Sequence, residues 1–477
     1  MTDVPQARLA ESFAEVEDAL QSRWPETRLE PSLDRIRAFT ELLGDPQRAY
    51  PVIHLTGTNG KTSTGRMIDT LLRALDLRTG RFTSPHLERL NERISIDGEP
   101  LTDEEFVRAF NDVAAYTHLV DASQPHPLSF FETMVGMAYA AFADAPVDVA
   151  VIEVGLGGAW DATNVADGVV AVVTPIGVDH AHLLGGTPET IAVEKAGIIK
   201  PGATAVLAEQ LPGPAEVLLR RCAEVGATPV REGVEFGVVS RTPAVGGQLL
   251  TLRGLRAEYD DVFLPLYGAH QAQNAATALA AVEAFAGDQP LDAELVRDAF
   301  ALASSPGRLE IIRRSPMILL DAAHNPHGAE ATAAALDDSF AFSPLVGVVG
   351  VMADKEYEGV LAAFEPYLAH VVCTQNSTSR ALPAAELATT AREVFGADRV
   401  SVAPRLEDAI DDATALAEAG EAVGSSIGSG AVLVTGSVVT VGEARAMLRR
   451  RDRSPGRDSA GRDGAGRDSA GRDSAGD

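Results

Sequence analysis

The sequence predicts an α/β protein of two doubly wound domains: a larger N-terminal phosphate-loop domain with a small antiparallel patch, and a smaller Rossmann-like C-terminal domain. Three observations carry this. Short β-branched runs alternate with alanine-rich segments of helical period, and the runs are apolar throughout, as in parallel strands covered on both faces. The pattern changes between Gly237 and Tyr267 and restarts after Pro306. At 477 residues the chain is too long for one ordinary core.

In chain order, strands are expected at Val52–Leu55, Val147–Glu153, Val169–Thr174, Met317–Leu320, Leu345–Val349, His370–Thr374 and Val432–Thr435. Helical patterns between them include Thr64–Ala74, Phe131–Phe142 and Ala329–Leu336. From Gly237 to Tyr267, short alternating stretches with Gly-Gly and Arg-Gly turns predict the antiparallel patch. A boundary near residues 301–306 divides the chain into domains over 1–303 and 304–447. Residues 448–477 form the rest, and from Arg451 they run into a five-residue Gly-Arg-Asp-Ser/Gly-Ala repeat. With no large apolar residue and nearly balanced charge, that repeat is expected to be a disordered tail.

Composition excludes several classes. Apolar residues make up 45% and charged residues 23%, ordinary for a soluble globular chain. The net charge of −28, from 40 basic and 68 acidic residues, disfavours nucleic acid or an anionic membrane as partner, so an anionic ligand must be held by local groups. The two cysteines, Cys222 and Cys373, form neither a disulfide framework nor a metal-ligand spacing. The N-terminus is acidic and amphipathic, without the apolar core of a signal peptide, and no apolar run reaches the roughly 18 residues of a membrane span. A cytoplasmic monomer acting on small molecules is expected.

Directly after the first strand comes His-Leu-Thr-Gly-Thr-Asn-Gly-Lys-Thr-Ser-Thr, His54–Thr64. A strand, a glycine turn and Lys-Thr opening a helix are the context of a phosphate-binding loop, shortened here to two residues between Gly57 and Gly60. Backbone N–H groups of Gly57, Thr58, Asn59 and Gly60 and the helix N-terminus offer positive potential to an anion. Lys61 would reach the terminal phosphates, and the Thr62 hydroxyl stands where a Mg²⁺-linked oxygen is wanted. Glu153 ends an apolar strand, His180 follows the next one, and Ser84 lies in a loop after another short apolar stretch. Such strand ends are where a doubly wound sheet holds ligands, so the three could converge on one ion. Equally, each could be a capping or structural group, and a histidine is an unusual Mg²⁺ ligand. Lys195, read alone, is a surface lysine on a helix. No serine–histidine or cysteine–histidine pair suggests a covalent nucleophile.

Gly-Thr-Asn-Gly-Lys-Thr resembles the shortened phosphate loop of the Mur ligase superfamily, ATP-dependent enzymes that join a carboxylate to an amino acid. Within it the chain is similar to the bacterial bifunctional dihydrofolate synthase/folylpolyglutamate synthases, from roughly Leu33 to Met447. The segments carrying the resemblance are TSPHL (Thr83–Leu87), SFFE (Ser129–Glu132), EVGLGGAWDATN (Glu153–Asn164), DH (Asp179–His180), EKAGIIK (Glu194–Lys200), PGRLE (Pro306–Glu310), DAAHNPHG (Asp321–Gly328) and GSVVTV (Gly436–Val441).

The resemblance implies ATP and Mg²⁺ as cofactors. It implies Ser84, Glu153 and His180 as Mg²⁺ ligands and a carbamylated Lys195 as ligand to a second ion. Asn274 is implied as a nucleotide contact, with Arg308 and Asp321 joining from the hinge and second domain and His324 as a further contact; His270 and Gln273 lie in the same segment as Asn274. Ser129, Phe130, Phe131 and Glu132, with Trp160, Asp161 and Ala162, would line a dihydropteroate pocket. Phe130 and Phe131 are read either as stacking groups or as core, Trp160 replaces a smaller residue expected there, and Leu29-Glu30-Pro31 is a third candidate segment. The implied reaction adds L-glutamate to dihydropteroate or a reduced folate through an acyl phosphate, with Lys61, Glu153, His180 and Lys195 at the catalytic centre. Two other readings stand beside it: a ligase of the same superfamily acting on a cell-wall precursor, and a nucleotide-dependent switch or binding module.

Overall fold

The computed structural model describes residues 9–25, 31–179, 181–421 and 430–453. Its first sheet has eight strands: β1 (Val52–Thr56), β2 (Thr79–Phe82), β3 (Ile94–Ile96), β4 (Glu99–Pro100), β5 (Val149–Glu153), β6 (Gly168–Val173), β7 (Thr204–Leu207) and β8 (Thr228–Arg231). They lie in the order β4-β3-β2-β5-β1-β6-β7-β8, and all neighbours are parallel except where β3 and β4 form an antiparallel edge. The sheet is doubly wound about β1: β2 and β5 lie on one side, β6, β7 and β8 on the other.

The β1 strand shows why the run is apolar throughout. Ile53 and Leu55 enter one core layer with helices Lys61–Ala74 and Ala269–Ala286, whereas Val52 enters the opposite layer with Asp34–Leu42, Asp103–Ser123 and Phe130–Asp144. Helix Ala269–Ala286 is alanine-rich, and its small side chains pack directly on Lys61–Ala74. It also bears the fully buried Glu283, which accepts from the Tyr259 hydroxyl at 2.6 Å. That bond ties down the antiparallel patch expected from the sequence, the meander β9 (Gly237–Ala244), β10 (Gly247–Arg253) and β11 (Glu258–Leu264).

The second sheet contains β12 (Glu310–Arg314), β13 (Met317–Leu320), β14 (Leu345–Val349), β15 (His370–Cys373), β16 (Val400–Val402) and β17 (Ala431–Thr435). Its order is β12-β13-β17-β14-β15-β16, parallel except for the β12 edge. Both cysteines are buried and free, and no described helix is long and apolar enough to cross a membrane.

One boundary needs correction. The sequence ends the folded part at 447 and begins the repeat tail at Arg451, but helix Val438–Arg453 continues past both. Arg451 is held by pairs to Glu407 and Asp411, each at 2.7 Å, so charge pairing extends the helix where apolar residues have run out. Ser454–Asp477 lie outside the described residues.

Candidate active site

Four parallel strands of the first sheet deliver the site from their carboxyl ends. After β1 come Gly57–Lys61, after β2 Thr83 and Ser84, after β5 Gly155–Asp161, and after β6 Pro175–Asp179. The loop after β1 depends on its glycines. Gly57 has φ +146°, and a Cβ there would lie 1.8 Å from Thr174 Oγ1; Gly60, at φ +90°, brings the backbone up to Asn274, whose Oδ1 a Cβ would meet at 2.6 Å.

Two lysines converge on this loop. Lys61 Nζ donates to the carbonyls of Gly57 at 3.0 Å and Thr58 at 3.3 Å, and Lys195 Nζ donates to the same Gly57 carbonyl at 2.8 Å. Lys195 is therefore not a surface residue; it is 4% exposed. Burial, and then the neighbouring Lys61 charge, push its amine down to about 7. Desolvation likewise lowers Lys61, against the opposing pull of Glu153 and Asp179. Glu153 is buried beside them and accepts from the Thr62 hydroxyl at 2.9 and 3.1 Å and from Thr83.

The second domain closes over this group. Asn325 Nδ2 donates to Asn59 Oδ1 at 3.1 Å and to Asp179 Oδ2 at 3.3 Å, and Lys355 Nζ pairs with Asp179 Oδ1 at 2.7 Å. His324 Nδ1 donates to the Ala322 carbonyl at 2.9 Å, leaving Nε2 3.7 Å from Asp179. Asp321 joins three segments: it accepts from the Leu309 N–H before β12, from the Ala323 N–H of its own loop and from the Thr332 hydroxyl on helix Pro326–Ser339. Asn59, Asp179, Asp321 and His324, together with Thr58, Asn274, Arg308 and His270, line a cavity of about 740 Å³. Burial pushes the His270 imidazole down to about 4, so a neutral ring faces that space.

A second cavity, about 530 Å³, lies alongside. Its first-domain wall includes Trp24, Arg35, Phe131, Glu132, Trp160 and Ala162; its second-domain wall includes Met352, Lys355 and Arg380. Ser84, Pro85, Gly155, Leu156, His324 and Val438 line both cavities, so the two meet there.

The residues expected from the sequence are thus distributed unevenly. Ser129 and Glu132 both line the second cavity and also share the capping box of helix Phe130–Asp144, the Glu132 carboxylate pairing as well with Arg35 at 3.0 Å. Phe131 lines the second cavity, whereas Phe130, half-buried against the edge of the core, lies under the Arg93 guanidinium, 4.9 Å from its ring centre. Asp161 touches the cavity but spends both oxygens on its own loop, accepting from the Leu156 and Thr163 N–H groups and from the Thr163 hydroxyl. Its burial pushes the carboxyl up to about 6. His180, Leu29 and Glu30 lie outside the described residues; Pro31 lines the second cavity. Among the described residues, no three His, Cys, Asp or Glu side chains gather as a metal cluster. The sequence reading missed Thr83 and Lys355. Lys355 had a signal, a lysine in the loop after an apolar parallel strand; Thr83 had none apart from its place beside Ser84.

Residues 55–282 match the Mur ligase middle domain, and residues 307–438 match the Mur ligase, glutamate ligase domain. The chain is 50% identical to the dihydrofolate synthase/folylpolyglutamate synthase of Mycobacterium tuberculosis over 92% of its own length and 94% of that protein's. It is 34% identical to the Bacillus subtilis protein of the same name, over 88% of this chain and 96% of that one. A structure of M. tuberculosis folylpolyglutamate synthase complexed with ADP and AMPPCP matches with a TM-score of 0.87 at 49% identity, covering 91% of this chain and 98% of that chain. The Escherichia coli FolC protein in complex with DHPP and ADP matches with a TM-score of 0.80 at 30% identity, covering 93% and 99%.

Proposed function

The chain belongs to the Mur ligase family, in its dihydrofolate synthase/folylpolyglutamate synthase branch, and on that premise we propose how its residues run an ATP-dependent glutamate ligase. The acceptors are dihydropteroate and reduced folates, and the bond formed is an amide to L-glutamate. The observation that carries the reading is the meeting of the two cavities at Ser84, Gly155, Leu156 and His324. A carboxylate entering along Phe131 and Trp160 arrives there at the γ-phosphate of ATP held over Gly57–Thr62.

The carboxylate oxygen attacks the γ-phosphorus, the bond to the β–γ bridging oxygen breaks, and ADP leaves. The amine of glutamate then attacks the acyl carbon, loses a proton, and expels phosphate together with the oxygen that came from the carboxylate. Lys61 supplies positive charge where negative charge develops on the phosphoryl and leaving oxygens in the transfer. Asn274, Arg308, Asp321 and His324 border the nucleotide space, while Trp160, Ala162 and Phe131 wall the acceptor. Asp161 and Glu132 shape that wall through their bonds to the 156–163 loop and to Arg35.

Mg²⁺, when bound, supplies charge neutralisation on the phosphate oxygens. The donor set fits it: Glu153 is a buried carboxylate flanked by hydroxyls, Ser84 adds a hydroxyl at the cavity junction, and the sequence adds His180. Lys195, poised near 7, is neutral often enough to take up CO₂ as a carbamate, an oxygen ligand of the kind Mg²⁺ selects. We take residues 1–303 and 304–453 as its two domains and a cytoplasmic monomer as its working form. The second sheet's start at Glu310 supports that division.

The test is ADP formation with dihydropteroate, L-glutamate, both or neither, and with a reduced folate in place of dihydropteroate. Release that requires acceptor and glutamate together, with the product mass raised by one glutamate, supports the reading. ATP turnover indifferent to both would indicate a nucleotide switch instead.

A further inference from the structure

Away from both cavities, one arginine ties three segments together. Arg445, on helix Val438–Arg453 and 9% exposed, donates through Nε to Glu310 at 2.8 and 3.0 Å and through Nη1 to Glu88. Glu310 also accepts the Gly307 N–H at 2.8 Å, which holds the turn that presents Arg308 to the nucleotide cavity. Glu88 belongs to the first-domain loop that carries Ser84. That loop is stiffened by Glu92, whose carboxylate accepts the N–H groups of Leu87, Glu88 and Arg89 at 2.8, 3.1 and 3.0 Å.

Leu87 completes the contact. It packs with the second-domain core around Val441 and Ala444, against two glycines. A Cβ on Gly442 would lie 1.8 Å from the Leu87 carbonyl oxygen, and one on Gly307 would lie 3.2 Å from the Leu87 side chain. Backbone thus meets backbone across the domains, and only a residue without a side chain fits at 442.

We propose that Arg445 is a positioning residue of the ligase reaction. By bridging Glu88 and Glu310, it fixes the Ser84 loop of one domain and the Arg308 turn at the start of the other in a single arrangement. Both ends of the phosphoryl-transfer site are then set only when the domains are docked at Leu87 and Gly442. This rests on the ligase reading above. A guanidinium suits the role because its fork can serve two carboxylates at once, which a single ammonium cannot do at fixed geometry.

The test compares Arg445→Met, Glu88→Gln, the double variant and Gly442→Ala by steady-state kinetics and thermal melting. Mispositioning lowers turnover more than binding, so kcat should fall about tenfold or more in Arg445→Met while KM for ATP moves less than about threefold. The double variant should lose no more than Arg445→Met alone, because both substitutions break the same bridge. Gly442→Ala, which leaves every charge in place, should lower kcat in the same way. Wild-type kcat in Arg445→Met and Gly442→Ala would overturn the proposal, as would a fall in melting temperature with kinetics unchanged. If Arg445→Met does not fold, Glu88→Gln and Gly442→Ala decide the matter on the same criterion. A wild-type enzyme that makes no product from either acceptor would refute the ligase reading itself.

Discussion

Lys61 and Lys195 share one carbonyl, yet their expected behaviour differs. Lys61→Ala removes the cation nearest the transferred phosphate, so kcat should fall by about 10²-fold or more with no loss of thermal stability; near-normal turnover would contradict the assignment. Lys195 carries a pH dependence. Its folded value of about 7 lies below an ordinary lysine's, so the amine is neutral above that pH and protonated below it. In CO₂-free buffer activity should be low at every pH; added bicarbonate should restore it above about pH 7, where the amine is neutral, and much less below that point. Stability has its own sign. The unfolded chain binds the extra proton between about 7 and the ordinary lysine value, so the cost of the buried charge is full at low pH and fades as pH rises through that window. Lys195→Met should therefore raise Tm more near pH 6 than near pH 9, and the opposite order in a pH series of melts would contradict the burial argument.

At the scale of elements, helix Phe130–Asp144 shows what the sequence could reveal and what it could not. SFFE named four neighbours as one acceptor wall. Three of the four line the cavity, Ser129 and Glu132 while also forming the helix's own cap, but the helix turns Phe130 beneath Arg93. Phe131→Ala should therefore lower kcat/KM for dihydropteroate more than for a reduced folate, while Phe130→Ala should chiefly lower Tm, by the loss of its packing against the core edge and Arg93. Equal acceptor losses for both substitutions would remove the distinction. The parallel strands were legible because burial on both faces writes an apolar run, and the loop at Gly57–Thr62 because its chemistry is local in sequence. Lys195 read as a surface residue because nothing near it in sequence signals the Gly57 carbonyl, 138 positions away. The end of the last helix was misread for the same reason, since Arg451 finds its partners 40 and 44 residues back.

At the scale of the molecule, both cavities of the proposed reaction centre are lined from both domains. Asn325 and Lys355 reach Asn59 and Asp179 from one side, and Arg445 reaches Glu88 from the other. Breaking the first set by Asn325→Ala should lower kcat/KM for both acceptors alike, since Asn325 bridges Asn59 and Asp179 where the domains meet and is not among the residues lining either cavity; a loss confined to one acceptor would contradict that. The fold class was legible at this scale too, but the contacts between domains were not, because they join residues far apart in the chain. The central claim is that one centre activates the acceptor carboxylate by direct attack on the γ-phosphate of ATP. It is tested most directly with dihydropteroate labelled with ¹⁸O in its carboxylate, turned over with ATP and L-glutamate, and the released phosphate analysed by mass. The account predicts one ¹⁸O in each phosphate formed, delivered when the amine displaces the acyl phosphate; phosphate free of label alongside normal amide yield would contradict it.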